Sequence, residues 1–210
     1  MPSATLLGQS LLSGIFIGGL YALLGLGLSL SWGYLKLINL AHFALAFLGA
    51  YLIYQLAGAA GLPIVAAVLI VVPAFFVLGM AMQMLFARFA VGEFESLLVS
   101  FGIAIIVEAA IQWFWTADLR KFQFEFGTTS LQLGSLFIPV IEALMFLVAA
   151  TLSFGTWAFL RFTRVGKALR ASAENPDIAA AFGVDHHRLA LLLSGVAAAF
   201  SGVAGAFIAM

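Results

Sequence analysis

Glu108 is the one acid set deep inside an apolar run, Ser96–Trp115, and it is the first residue here that invites a chemical role. A carboxylate at the centre of a membrane helix costs ~2.5–3.5 kcal/mol on an insertion scale, against roughly −0.3 to −0.6 kcal/mol for each Leu, Ile, Phe or Val. Ten such apolar residues accompany Glu108, so the run still enters a bilayer. A carboxylate held there faces protein or a watery path; it either lines that path or makes a helix–helix hydrogen bond. Asn39 and His42 stand three residues apart and share one helical face. Opening an apolar run, such groups either line a path or cap the helix. His186 and His187 are adjacent, and neighbours one apart do not converge on one helical face. With no cysteine in the chain, neither a metal centre nor a disulfide framework is indicated. The nucleotide-binding pattern G-x-x-x-x-G-K-[ST] is missing, since Gly166-Lys167 is followed by Ala168. No cofactor is expected on this chain, and any ATP hydrolysis belongs to a separate one.

The segment 161–188 is the richest in local signals. Asn175 is suited to cap a helix, Pro176 to occupy its first position, Asp177 to favour its dipole, and Gly183 to stop it. The pattern predicts one short helix over Glu174–Gly183 that displays Ile178 and Phe182 four residues apart. Such a pair either seats in a partner's groove or rests on a membrane surface.

These residues are carried by a chain that is 64% hydrophobic, 9% charged and of zero formal net charge. A soluble domain is roughly one-quarter charged, and no globule of this size hides so much apolar surface. Soluble enzymes, nucleic-acid binders and disordered segments are thereby excluded, and the lipid bilayer is the expected surrounding. A crossing helix needs about 20 apolar residues, which predicts six spans: Leu11–Ser31, Ile38–Ala57, Leu62–Phe86, Ser96–Trp115, Ile138–Leu160 and Leu189 to the end. The runs are continuous, without the ten-residue alternation of a barrel, so the expected fold is an all-α polytopic helix bundle forming a single domain over residues 1–210. Seven of the nine basic residues (Lys36, Arg88, Arg161, Arg164, Lys167, Arg170, Arg188) then fall on one side, which places 161–188 in the cytosol and the N-terminus outside. In the external segment 116–137, Lys121, Gln123 and Glu125 alternate with Phe122, Phe124 and Phe126, a strand signature. Gly127–Ser130 is expected to turn it back into Leu131–Leu133 as a small hairpin. Two rows of small residues, Ser10/Gly14/Gly18/Ala22 and Ser194/Ala198/Gly202/Ala206, predict close helix packing.

Three stretches together resemble a known family: Gly19-Leu20-Tyr21-Ala22-Leu23 with Gly25 and Gly27, then Ile38-Asn39-Leu40-Ala41-His42, then Thr163-Arg164-Val165-Gly166-Lys167-Ala168 through Ala173-Glu174-Asn175-Pro176 to Gly183. In this order they look like the permease subunits of branched-chain amino acid ABC importers. The resemblance implies a transmembrane subunit in a bacterial inner membrane, paired with a second, homologous permease. It further implies cytoplasmic ATPase subunits that hold the ATP, and an extracytoplasmic binding protein that delivers substrate. Residues Gly166, Arg170, Glu174, Asn175, Pro176, Ile178, Phe182 and Gly183 are the expected ATPase-coupling set; Tyr21, Asn39, His42 and Glu108 are the substrate-path candidates. Urea and short-amide importers have near-identical permeases, and a proton-coupled carrier using Glu108 is a further alternative. Where the family commonly has Gly after the His, this chain has Phe43, a large ring at an expected close-packed or path-lining point. Met210 lies within an apolar run without cap or stop signal, and the family has further C-terminal helices, so truncation is expected there.

Overall fold

A computed structural model describes residues 4–89, 91–116, 130–134 and 136–210. Eight α-helices are present among them: α1 (Ala4–Leu35), α2 (Ala41–Ile53), α3 (Ile64–Arg88), α4 (Glu93–Trp115), α5 (Val140–Phe162), α6 (Arg164–Glu174), α7 (Pro176–Ala181) and α8 (His186–Ala209). α2 continues as π-helical turns over Tyr54–Ala59. Six helical segments are long and apolar enough to cross a membrane, counting α2 with its π turns as one. Each expected span finds its helix, with ends moved by up to four residues except that α1 begins at Ala4, seven before Leu11.

α8 is the centre of the bundle, packing against α3, α2 and α1, while α5 leans on α1 and α4 on α2. Small residues allow this. A Cβ at Gly79 of α3 would strike the Ser194 carbonyl and the Ala198 methyl, and one at Gly205 would strike the Ala46 carbonyl of α2. The row Ser194/Ala198/Gly202/Ala206 thus lies in the α8 interface, with Gly202 under the Phe75 ring. We expect Gly79→Val to lower the stability of the solubilised protein by about 1–3 kcal/mol through overpacking. Thermal melts in detergent, with Gly79→Ala as the milder step, check this. The other row behaves differently: Ser10, Gly14, Gly18 and Ala22 lie along α1, and among the described residues a Cβ at Gly14 or Gly18 would meet nothing.

Between α4 and α5, β1 (Ser130–Leu133) pairs antiparallel with β2 (Leu136–Pro139), Leu133 opposite Leu136. Leu131–Leu133 is thus the first strand of a hairpin with β2. The reversal falls at Gly134, whose φ of +64° suits a residue without Cβ; Gly127–Thr129 and the expected strand 121–126 lie outside the described residues. The Gln9 side chain ties the hairpin to α1, donating to the Phe137 carbonyl at 2.8 Å and accepting from its N–H at 3.1 Å.

Candidate functional site

Local chemistry builds the knuckle at the α5–α8 end of the bundle. Thr163 caps α6, its Oγ1 accepting from the Gly166 N–H at 3.0 Å. Gly166 itself lies so close to the Leu160 backbone that a Cβ would collide with it, so the chain turns from α5 into a helix of its own over Arg164–Glu174. Two helices consequently stand where one was expected. Asn175 then caps the second, accepting from the Ile178 N–H at 3.1 Å, with Pro176 in the first turn. Gly183, at φ +81°, ends it. Asp185 caps α8, accepting from the Arg188 N–H at 3.1 Å.

α6 is anchored and α7 is displayed. Leu169 of α6 belongs to one hydrophobic cluster with Leu23, Leu24 and Leu30 of α1, Ala149 of α5, and Leu193 and Phe200 of α8. The buried Ser172 hydroxyl meets His186 Nδ1 of α8 at 2.6 Å. Arg170, Glu174, Asn175 and Pro176 line the exposed side. Ile178 is 57% and Phe182 86% exposed, whereas Ala179 between them is buried. α7 is thus joined through α6 to the packing of three spanning helices.

A second constellation lies where α1 gives way to α2. Lys36, at φ +55°, ends α1, and residues 36–40 run non-helically before α2 begins at Ala41. Backbone groups there need partners in an apolar interior, and two serines one turn apart on α4 supply them. Ser96 Oγ accepts from the Ile38 N–H, and Ser100 Oγ accepts from the Leu40 N–H while donating to the Ile38 carbonyl, each at 3.0 Å. Both serines are fully buried. Asn39 accordingly precedes α2 and does not cap it; the cap position is Leu40, without a side-chain bond. Asn39 lines a small cavity of mixed character with Ser31, Gln83 and Ser194 and with Leu35, Leu37, Met82 and Phe86, in which the Ser194 hydroxyl donates to Gln83 Oε1 at 2.8 Å.

His42 is 2% exposed, its ring bonded to the Leu24 backbone. A Cβ at Gly27 would collide with the imidazole. Gly27 thus makes room for His42, a physical reason for the first two sequence motifs to occur together. Among the described residues, Asn39 Oδ1 and His42 Nε2 are buried without a partner. Sequence reasoning missed Ser96, Ser100, Gln83 and Ser194 as polar partners. Hydroxyl and amide groups inside apolar spans, with Ser96 and Ser100 spaced for one face, were the available signal.

Glu108 stands apart from that cluster. It is exposed on α4 and lines an open depression of about 300 Å³ with Phe47 and Tyr51 of α2, Ile111 and Gln112 of α4, and Thr116 just beyond it. Tyr21 is exposed on α1 and borders neither site. The four path candidates are therefore brought together only as the pair Asn39 and His42. Phe43 is 43% exposed on α2, so its ring is not close-packed within the chain.

The sequence profile of the family described as branched-chain amino acid transport system / permease component matches residues 10–210. The high-affinity branched-chain amino acid transport system permease protein BraD of Pseudomonas aeruginosa is 25% identical over 96% of this chain and 70% of its own. The corresponding permease proteins LivH of Salmonella typhimurium and Escherichia coli are 24% and 23% identical, each over 94% of this chain and 68% of theirs. No solved structure matches. With its six apolar helices the chain is a multi-pass protein of the bacterial inner membrane and a permease of the ABC transport class, similar to transport proteins and not to enzymes. It belongs to the branched-chain amino acid transport system permease component family.

Proposed function

We propose that this chain is one of two permease subunits of an ATP-driven importer of branched-chain, hydrophobic amino acids. In this reading α6 and α7 face the cytosol and dock on ATPase subunits, which hold the ATP. The N-terminus and residues 116–137 face outward, toward a substrate-binding protein. The observation that carries the reading is Phe182, 86% exposed at the end of a capped helix whose neighbour α6 is wedged into the core. A large ring held in the open on a rigid support is costly in water and suited to a partner's pocket. Closure of the ATPase pair would push α7, and through Leu169 and Ser172 bias the packing of α1, α5 and α8 between two access states. Reconstituted with its ATPases and binding protein in liposomes, the chain is expected to support ATP-dependent leucine uptake and no urea uptake. Urea uptake would favour the amide importers, and uptake that follows the proton gradient without ATP would overturn the reading.

Glu108 takes the substrate's ammonium in this scheme. A branched-chain amino acid presents one cation beside an apolar side chain, and the depression offers one carboxylate beside Phe47, Tyr51 and Ile111. It lies seven residues below the end of α4, about 10 Å along the helix. Glu108→Gln is expected to raise the half-saturating leucine concentration about tenfold, ~1.4 kcal/mol, with Glu108→Asp falling between. Unchanged half-saturation in Glu108→Gln would remove Glu108 from the path.

A further inference from the structure

Between α1, α5, α6 and α8 runs an apolar groove of about 530 Å³. Its walls include Leu30 of α1, Leu152 and Phe159 of α5, Leu169 of α6, and Leu193 and Val196 of α8. Along α5 it extends from Thr151 to Leu160, about 13 Å of helix. That is close to the depth of one leaflet, half of a hydrocarbon core ~30 Å thick. The groove is wide where Gly155 lines it, since a Cβ there would meet nothing. Thr151 presents little polarity, because its hydroxyl donates to the Leu147 carbonyl of its own helix at 2.8 Å.

The residues that line the groove at the α5–α6 junction have arginines as chain neighbours. Leu160, Val165, Leu169 and Leu189 line it there, and each is followed or preceded in the chain by an arginine: Arg161, Arg164, Arg170 and Arg188. Arg188 is paired with Asp185 at 2.9 Å. Arg161, Arg164 and Arg170 are exposed, and among the described residues none has an ion pair. The Arg170 guanidinium reaches the Arg161 carbonyl at 3.4 Å, which holds it at this junction, while that of Arg161 lies 5.3 Å from the centroid of Trp157, a ring beside the groove and not in its lining.

We propose that an anionic phospholipid binds here, one acyl chain in the groove and its phosphate on Arg161, Arg164 and Arg170. A slot of leaflet depth takes an acyl chain, and exposed arginines next in the chain to its lining suit a negative headgroup, as basic clusters at the ends of membrane helices do. The inference does not depend on what the protein carries.

Native mass spectrometry tests it on the whole chain extracted from membranes, stripped in detergent and titrated separately with phosphatidylglycerol and phosphatidylcholine of identical acyl chains. One phosphatidylglycerol is expected to stay bound at least tenfold more tightly than phosphatidylcholine. Arg161→Gln/Arg164→Gln/Arg170→Gln, all at exposed positions, is expected to abolish the difference between the two lipids. Gly155→Phe, which fills the groove, is expected to weaken both. Equal retention of the two lipids by the unaltered protein would overturn the proposal, as would a headgroup preference that survives in the triple variant. Disulfide trapping of Leu192→Cys, in the groove wall, to a second permease subunit in intact membranes would overturn it as well, because a protein helix would then fill the slot.

Discussion

Ile178→Asp/Phe182→Asp is expected to abolish ATP-driven uptake while leaving the chain inserted and folded. Both side chains are exposed, at 57% and 86%, so neither contributes to the core and their loss leaves the bundle intact. The new carboxylate at position 178 would sit in the first turn of α7, where a negative charge favours the dipole; the Asn175 cap at the Ile178 N–H is a backbone contact and survives. What changes is the face offered to the ATPase. A central aromatic or aliphatic anchor is worth about 2 kcal/mol or more, and two lost anchors amount to ~4 kcal/mol, about a thousandfold in affinity. Buried against a partner, two new carboxylates add a desolvation cost of their own. The measurements are co-purification of the ATPase with tagged permease and leucine uptake into proteoliposomes, with Phe182→Leu as the retaining control. Undiminished co-purification and uptake by the double variant would defeat the coupling role of α7.

Contrasting elements explain what the sequence makes legible. The spans could be read because lipid imposes a length and a composition that no partner alters. The capped turn Asn175–Gly183 could be read because its bonds are local, the Asn175 amide reaching only three residues ahead. Two rows of small residues with the same spacing had opposite outcomes. Ser194/Ala198/Gly202/Ala206 is packed under α3 and α2, while among the described residues nothing packs on the glycines of the row Ser10/Gly14/Gly18/Ala22. Spacing permits a close approach but names no partner, and the partner of α8 is settled by the three-dimensional arrangement alone. The reversal between Leu133 and Leu136 was not read from alternation, because Gly134 takes a positive φ that no period in the sequence announces. In the candidate site, His42 and Asn39 stood out by type, but their supports did not. Ser96 and Ser100 meet the 36–40 segment across 58 to 62 residues of chain, a separation at which periodicity carries no information.

That serine pair makes the second strong expectation. Removing the Ser100 hydroxyl strands the Leu40 N–H and the Ile38 carbonyl, whereas removing that of Ser96 strands only the Ile38 N–H. Each buried backbone group left without a partner costs about 1–3 kcal/mol. Ser100→Ala should therefore be the worse single change, at about 2–6 kcal/mol against about 1–3 kcal/mol for Ser96→Ala. No rearrangement within α4 repairs this, because the hydroxyls are fully buried and water has no ready access. Thermal unfolding in detergent reads the order, at roughly 2–4 °C per kcal/mol. A readout specific to the clamp is maleimide labelling of Leu37→Cys beside it, expected to accelerate in Ser96→Ala/Ser100→Ala. The segment they hold carries Asn39 and delivers His42 into its place beside Gly27. Uptake by the double variant should accordingly fall even at temperatures where it remains folded. Equal melting of the two single variants, or unaltered labelling in the double one, would mean that residues 36–40 are held by something other than these hydroxyls.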